Sequence, residues 1–520
     1  MVIVTENTNC FLRRFIDMAT FLTGLAILLV GGLIYGRVCE GVFGPDDRKT
    51  PAYAKQDNVD YVPMKRWKNS LVNLLNIAGT GPILGPIQGI LFGPIAFITI
   101  PIGCVIGGAM HDYFTGMICT REGGLQMPEM IRRFQKRGVF WFFTAFVCIT
   151  CFLCGVVFVY TPGDIAATQL FGFGGTAGEA STWIIYGAIF IYYLIATVLP
   201  IDKIIGKVYP VFGGLLIVSA IGIFIMLFVT GNPLCELWGD WTLGGFDFKA
   251  YFTAQHFIPA FFVTVACGIM SGFHSTQTSL IARTLENEKH GRMTFYNMML
   301  CEGFIAMVWA AGTMAVIGIG AENAGITMQM TESGWGYFQS VDGVMQKISA
   351  TSVVGVVCKY MLGNAGGIIA IIGVIILPVS TGDTAFRSLR LMIAETFHIK
   401  QDSIKKRLAL SGLIFTLALG LLIWAKNDSN GFNTIWRYFG WANQTVSIFA
   451  TSSIFVYLVR SGKAKFAWMP AIPLVFYSFI TSAYLFNAPI GFSLDIGIAY
   501  IIAGVFTAFV LAGTIYTARK

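Results

Sequence analysis

Charge is scarce in this sequence. Only 12% of its 520 residues are Asp, Glu, Lys or Arg, about half the share usual for a soluble domain. Histidine is scarcer still, with 5 residues. The 11 cysteines lie mostly inside apolar runs and lack the spacing of a disulfide framework, which excludes a secreted disulfide scaffold. Cys148, Cys151 and Cys154 form a C-x2-C-x2-C run, superficially an iron–sulfur spacing. Without a fourth Cys followed by Pro, they read as small packing residues of an apolar helix. No Gly-x4-Gly-Lys-Ser/Thr pattern occurs, which disfavours an ATP-driven pump, and there is no zinc-protease motif.

What abounds is apolar length. Hydrophobic residues make up 55% of the chain and its mean hydropathy is +0.70. About 13 segments have the roughly 20 residues needed to span a bilayer. They run near 17–37, 71–93, 95–118, 139–160, 183–200, 206–230, 257–282, 293–318, 352–377, 408–425, 436–459, 466–487 and 496–517. This predicts an all-α polytopic membrane protein and excludes a soluble enzyme or a disordered chain. We read one transmembrane domain over 1–520, with a core at 71–459, an extra N-terminal helix at 17–37 and C-terminal helices at 466–517. The first segment follows Arg13 and Arg14 and lacks a small-residue cleavage site, so it reads as retained. The net charge of +8 does not point to nucleic acid, because the basic residues lie in short loops. The lipid bilayer and a small-molecule substrate are the expected partners, and the sequence sets no oligomeric state.

Loop charges predict orientation. Basic residues crowd 38–70, 121–137, 283–292, 387–407 and 460–465, join Lys203 and Lys207, and end with Arg519 and Lys520. The intervening loops 161–182, 231–256 and 319–351 carry Asp164, Glu179, Glu236, Asp240, Asp247, Glu322, Glu332 and Asp342 against only Lys249 and Lys347. The N-terminus is therefore expected outside and the C-terminus in the cytoplasm. An interfacial helix before residue 17 would accommodate Arg13 and Arg14.

Three apolar segments carry helix-breaking sequence. Asn76 to Pro86 reads N-I-A-G-T-G-P-I-L-G-P, Gly268 to Ser279 is polar inside a span, and Pro378-Val379-Ser380-Thr381-Gly382-Asp383-Thr384 closes another. Pro removes a helical N–H and Gly weakens the helix. Freed backbone groups in hydrocarbon need protein or water partners, so such breaks are expected to line a cavity. The first two breaks lie five helices apart, in units of opposite topology. That predicts a leucine-transporter-like 5+5 inverted repeat.

Ionisable groups inside spans are usually functional. His111 and Asp112 form either a proton or cation relay or a structural pair. His274, inside the second break, is expected to meet substrate or a proton. Ser380, Thr381 and Asp383 offer oxygen ligands suited to a bound Na⁺, while Asp383 could equally cap a helix over 385–396. Glu302 is expected to be buried, and either protonated or paired with Arg283 or His274. We assign Asn76, Gly79, Gly81, His274, Gln277 and Asn443 to substrate binding. His111, Asp112, Ser380, Thr381 and Asp383 are assigned to ion coupling. No catalytic residue, resident metal site or cofactor is expected beyond that Na⁺.

These blocks resemble a known family. The stretch Asn76 to Gly89, Gly107-Gly108-Ala109-Met110-His111-Asp112 and Gly272-Phe273-His274-Ser275-Thr276-Gln277 look like the carbon starvation protein A family. So do Thr381-Gly382-Asp383-Thr384-Ala385-Phe386-Arg387-Ser388 and Trp436-Arg437-Tyr438-Phe439-Gly440-Trp441-Ala442-Asn443-Gln444, and the order is the family's. The chain resembles the family's shorter form. Where longer members carry a His-His pair before the Gly-Pro break, it reads Lys68-Asn69-Ser70-Leu71. The resemblance implies a bacterial inner-membrane transporter linked to carbon starvation, taking up peptides or pyruvate by symport with H⁺ or Na⁺. An ion channel, a membrane-embedded enzyme and a starvation sensor without transport are the competing classes. Three unlike breaks, spread over several helices and joined to no soluble output domain, fit each of them less well than a carrier.

Overall fold

The computed structural model describes residues 17–57, 60–198, 201–323, 325–331, 334–341, 343–401, 403–428 and 430–520, without the side chains of 198, 201–210 and 334. The expected interfacial helix before residue 17 and the side chains of Lys203 and Lys207 lie outside the described residues.

Long apolar runs become helices here because a helix pairs its own backbone groups, which hydrocarbon demands. Among the described residues, 11 helices are long and apolar enough to cross a membrane. In chain order these are α1 (Ala19–Phe43), α4 (Ala96–Arg121), α6 (Arg137–Leu170), α7 (Ala180–Val198), α8 (Ile201–Thr230), α12 (Glu288–Gly318), α13 (Ala350–Thr396), α14 (Ile404–Asn427), α15 (Gly431–Arg460), α16 (Trp468–Asn487) and α17 (Ile496–Arg519). The pair α2 (Arg66–Ala78) and α3 (Gly81–Phe92), bent by 45°, is together long and apolar enough to count as a twelfth. The short pieces α10 (Phe257–Thr264) and α11 (Gly272–Ile281) occupy the remaining expected span. The shorter helices between these include α5 (Met127–Phe134) and α9 (Phe248–Ala254).

The packing follows a two-fold exchange. One five-helix unit is α2/α3, α4, α6, α7 and α8; the other is α10/α11, α12, α13, α14 and α15. Helix α4 packs on α11, and its counterpart α12 packs on α3. Helix α8 packs on α13, and its counterpart α15 packs on α6. The self-paired contacts α6 with α13 and α7 with α14 are present, and so are α2 with α11 and α3 with α10. Exchanging the units thus maps these contacts onto one another, as the expected 5+5 repeat requires. Helix α12 is central, with 89% of its apolar window buried, while α17 is peripheral at 11%.

Two expected breaks are redrawn. In the second, the non-helical backbone is Val265–Ser271, and the polar run from Gly272 to Ser279 is helical. Its hydroxyls bond back onto their own helix: Ser275 to the Gly272 carbonyl at 2.6 Å, Thr276 to Phe273 at 2.7 Å and Ser279 to Thr276 at 2.8 Å. A polar sequence thereby satisfies itself without unwinding. The third expected break is absent, because α13 runs helically through Pro378 and Asp383. Asp383 therefore caps no helix. One proline frees one carbonyl, and the turn after it satisfies its own hydroxyls, with Ser380 and Thr381 donating to the Leu377 carbonyl at 2.7 and 3.2 Å. The interruption of α13 lies earlier, at Gly363, whose φ of +67° favours glycine.

The loop 319–351 contains an antiparallel sheet, β3 (Thr327–Thr331), β4 (Gly334–Val341) and β5 (Val344–Ile348). A smaller hairpin, β1 (Thr242–Leu243) with β2 (Phe246–Asp247), precedes α9. The sheet packs against α3: Tyr337 Oη donates to the Ile87 carbonyl at 3.0 Å, and Trp335 meets the rings of Phe246 and Tyr251.

Candidate functional site

The two breaks meet at the centre of the molecule. Gly79 ends α2 at a φ of +33°, and Gly268 turns the second break at +90°. The backbone of the second break lies directly on α4, since a Cβ on Gly108 would come within 2.2 Å of the Ile269 carbonyl oxygen. Only glycine permits that approach. Helices α4 and α12 each contain a π-helical turn, Cys104–Ala109 and Arg292–Asn297, ahead of their buried acid. Such turns recur at functional sites.

This packing assembles one polar cluster from three elements. Asp112 on α4 holds two imidazoles: His111 Nδ1 donates to its Oδ1 at 2.8 Å, and His274 Nδ1, from α11, donates to its Oδ2 at 3.0 Å. A carboxylate only accepts, so each ring carries a proton on Nδ1. His274 Nε2 faces Glu302 Oε2 of α12 at 3.4 Å. His111, Asp112, His274 and Glu302 are all fully buried, and Cys267 lies beside them. The two Nε2 atoms and both Glu302 oxygens make no hydrogen bond. Of the two partners anticipated for Glu302, His274 is the one it meets, while Arg283 Nη2 donates to Glu395 at 2.8 Å.

The other expected residues form a second group around α2 and α13. Thr381 Oγ1 donates to the Leu75 carbonyl at 2.7 Å, next to Asn76, whose two amide atoms are buried without a hydrogen bond. Asp383 is 3% exposed, with Oδ2 unbonded and with Arg387 and Arg390 as charged neighbours. Gln277 Nε2 donates to Thr276 Oγ1 at 3.0 Å and Ser388 Oγ at 3.4 Å. Asn443 on α15 acts on the second break itself. Its Oδ1 accepts from Ser271 Oγ at 3.0 Å and from the Phe273 N–H at 2.6 Å, which caps α11. Gly79 and Gly81 flank the first break. The structure therefore groups His111 and Asp112 with His274 and apart from Ser380, Thr381 and Asp383. The site residue the sequence reading missed is Cys267. Its only signal is its place beside Gly268 at the break, since its other neighbours are apolar.

The family model described as Carbon starvation protein CstA matches residues 17–173, 144–349 and 343–483. An uncharacterized membrane protein of Haemophilus influenzae is 39% identical over 336 residues, covering 57% of this chain and 90% of its own. The peptide transporter CstA of Escherichia coli is 23% identical over an alignment of 556 residues, covering 86% of this chain and 78% of its own. Among solved structures, a mutant of the Eremococcus coleocola manganese transporter superimposes with a TM-score of 0.56 at 10% identity, covering 89% of this chain and 97% of that one. At that identity the likeness is one of fold. The match to the family model extends over most of the sequence, and this multi-pass membrane chain belongs to the carbon starvation protein CstA family.

Proposed function

We propose that the chain is a secondary active transporter of the bacterial inner membrane. It imports small carboxylate nutrients, peptides or pyruvate, drawing on an H⁺ or Na⁺ gradient, as part of a response to carbon starvation. Its N-terminus lies outside and its C-terminus in the cytoplasm, a reading supported by the concentration of Lys and Arg on one set of loops. The observation that carries this proposal is the crossing of two broken helices at a fully buried polar cluster. Polar groups at mid-span, with protein closed over both sides, suit a carrier that exposes its centre to one side at a time. The peptide alternative is further supported by the name of the Escherichia coli relative.

Binding begins where helix N-termini converge, since their N–H groups attract a carboxylate. At α11 the Phe273 N–H is already held by Asn443, so a substrate carboxylate reaches it by displacing the Asn443 side chain. The test is uptake by proteoliposomes under an imposed H⁺ or Na⁺ gradient, with labelled pyruvate and a labelled dipeptide in parallel and ionophore controls. Saturable, gradient-dependent uptake of one of them is the expected result. Uptake that neither saturates nor follows a gradient would point to a channel. Absence of uptake of both by folded protein would overturn the proposal.

A further inference from the structure

Cys267 Sγ, His274 Nε2 and a Glu302 carboxylate oxygen all lie within 4.8 Å of one another, and all three residues are buried. We propose that these three side chains bind a divalent transition-metal ion of the zinc class at the crossing of the two broken helices. The inference stands on this geometry and does not rest on the transport reading.

Three observations besides the identity of the residues point to an ion. First, the hydrogen bond from His274 Nδ1 to Asp112 holds Nε2 toward Glu302, where it becomes a metal ligand on release of any proton it carries. A carboxylate behind a ligating imidazole is the usual support of a metal-bound histidine, because it fixes the ring and the tautomer. Here His111 steadies that carboxylate from its other oxygen.

Second, His274 Nε2 and both Glu302 oxygens are fully buried and make no hydrogen bond. Buried polar groups are ordinarily paired. Nitrogen and oxygen facing each other at 3.4 Å are bridged by a proton or by a metal cation. A thiolate and a carboxylate carry two negative charges, which a divalent ion neutralises within a hydrocarbon-embedded core. The Cys267 thiol releases its proton to solvent as the ion binds, since the thiolate is the ligand.

Third, the spacing fits. Metal–nitrogen and metal–oxygen bonds of about 2.0–2.2 Å give a tetrahedral edge of about 3.4 Å. The Nε2-to-Oε2 separation is 3.4 Å. Cys267 Sγ, which donates to Ser271 Oγ at 3.7 Å, supplies the third ligand. Thiolate and imidazole ligands favour zinc-class ions over Na⁺, Mg²⁺ or Ca²⁺, which prefer oxygen. Three protein ligands leave a fourth position of the tetrahedron open. The other break presses on the site, since a Cβ on Gly81 would lie 2.2 Å from Cys267 Sγ.

The experiment uses the full chain in detergent, stripped by a chelator and titrated with Co²⁺. The expected result is one equivalent bound, with visible bands of four-coordinate cobalt and a near-ultraviolet thiolate-to-cobalt band, all displaced by Zn²⁺. Cys267→Ser removes the near-ultraviolet band, Glu302→Gln weakens binding at least tenfold, and Cys148→Ser changes neither. No bands from monodisperse wild-type protein, or a thiolate band that survives Cys267→Ser, would overturn the proposal. Should Cys267→Ser fail to fold, X-ray absorption of Zn²⁺-loaded wild-type protein decides. One sulfur at about 2.3 Å beside nitrogen and oxygen at about 2.0–2.2 Å supports the site, and a shell without sulfur rejects it. A metal-binding result leaves the uptake assay untouched, so either reading can fail alone.

Discussion

Asp112 is a single carboxylate serving two imidazoles, and the arrangement makes His274 the residue through which α4, α11 and α12 communicate. Replacing His274 with Ala removes the contact to Glu302 and one of the two bonds on Asp112, while His111 continues to hold that carboxylate. The expected outcome is uptake reduced at least tenfold by protein that still purifies as a folded species, read as initial rate per folded molecule. Undiminished uptake would remove His274 from the site. Asp383 is the residue-scale test of ion coupling. With Asp383→Asn, uptake is expected to lose its dependence on the imposed cation gradient, and wild-type gradient dependence in that variant would sink the assignment. The sequence marked His111, Asp112, His274 and Glu302 individually, because ionisable groups stand out in apolar spans. It did not show that they meet, since Asp112 and His274 are 162 residues apart. Cys267 escaped notice because a lone thiol in an apolar run reads as packing.

The elements explain why the breaks could be recognised more easily than bounded. Gly-x-Gly-Pro at the first break has no helical solution without loss, and the structure bends there. The polar stretch after Gly268 has one, since Ser and Thr can bond their own helix, so the break shifted toward residues 265–271. Helix α13 likewise stays helical through Pro378 with its hydroxyls bonded to their own helix, and the interruption lies at Gly363, a residue no local pattern distinguished. The five-helix spacing of the two broken spans needed only counting, and the packing agrees with it. The sheets in the loops 231–256 and 319–351 went unread because apolar length was the guide. Two substitutions test how firmly the second break is held. Gly108→Val places a side chain against the backbone at Ile269, where nothing flexible can yield, and should cost about 1–3 kcal/mol, as overpacking does. Asn443→Ala removes the acceptor for Ser271 Oγ and the Phe273 N–H and should cost about 1–2 kcal/mol, as loss of a helix cap does. Thermal unfolding in detergent measures both, and a wild-type midpoint for Gly108→Val would show that α4 and the break do not touch.

At the scale of the whole molecule, the centre is closed by ties on both faces, and the two ties differ in strength. On the face bearing the ends of α4, α11 and α13, Arg283 Nη2 donates to Glu395 at 2.8 Å, and Arg121 pairs with the buried Glu288 at 2.9 Å. On the opposite face, Lys426 Nζ pairs with Asp164 Oδ1 at 2.6 Å, and Thr351 Oγ1 donates to Asp164 Oδ2 at 2.6 Å, joining α6, α13 and α14. The Glu395 side chain is 35% exposed, whereas Asp164 and Lys426 are 10% and 4% exposed. In the first pair solvent reaches Glu395, while Arg283 is 5% exposed and keeps its Nε bond to the Gly124 carbonyl at 2.9 Å, so losing Glu395 is worth about 1–2 kcal/mol. The second is nearly buried, and losing one partner strands the other charge, at a cost of about 3 kcal/mol. Hydrogen exchange of the backbone reads such local openings directly. Glu395→Gln should speed exchange about tenfold in 272–284 and 385–396. Asp164→Asn should speed it about 100-fold in 157–170, 351–363 and 424–428. Each variant should leave the other face near the wild-type rate, because the ties share α13 but lie at its two ends, with the Gly363 interruption between them. Equal acceleration of both faces by either variant would mean that the molecule opens as one body. A carrier that must release one side while holding the other requires the two ties to yield separately.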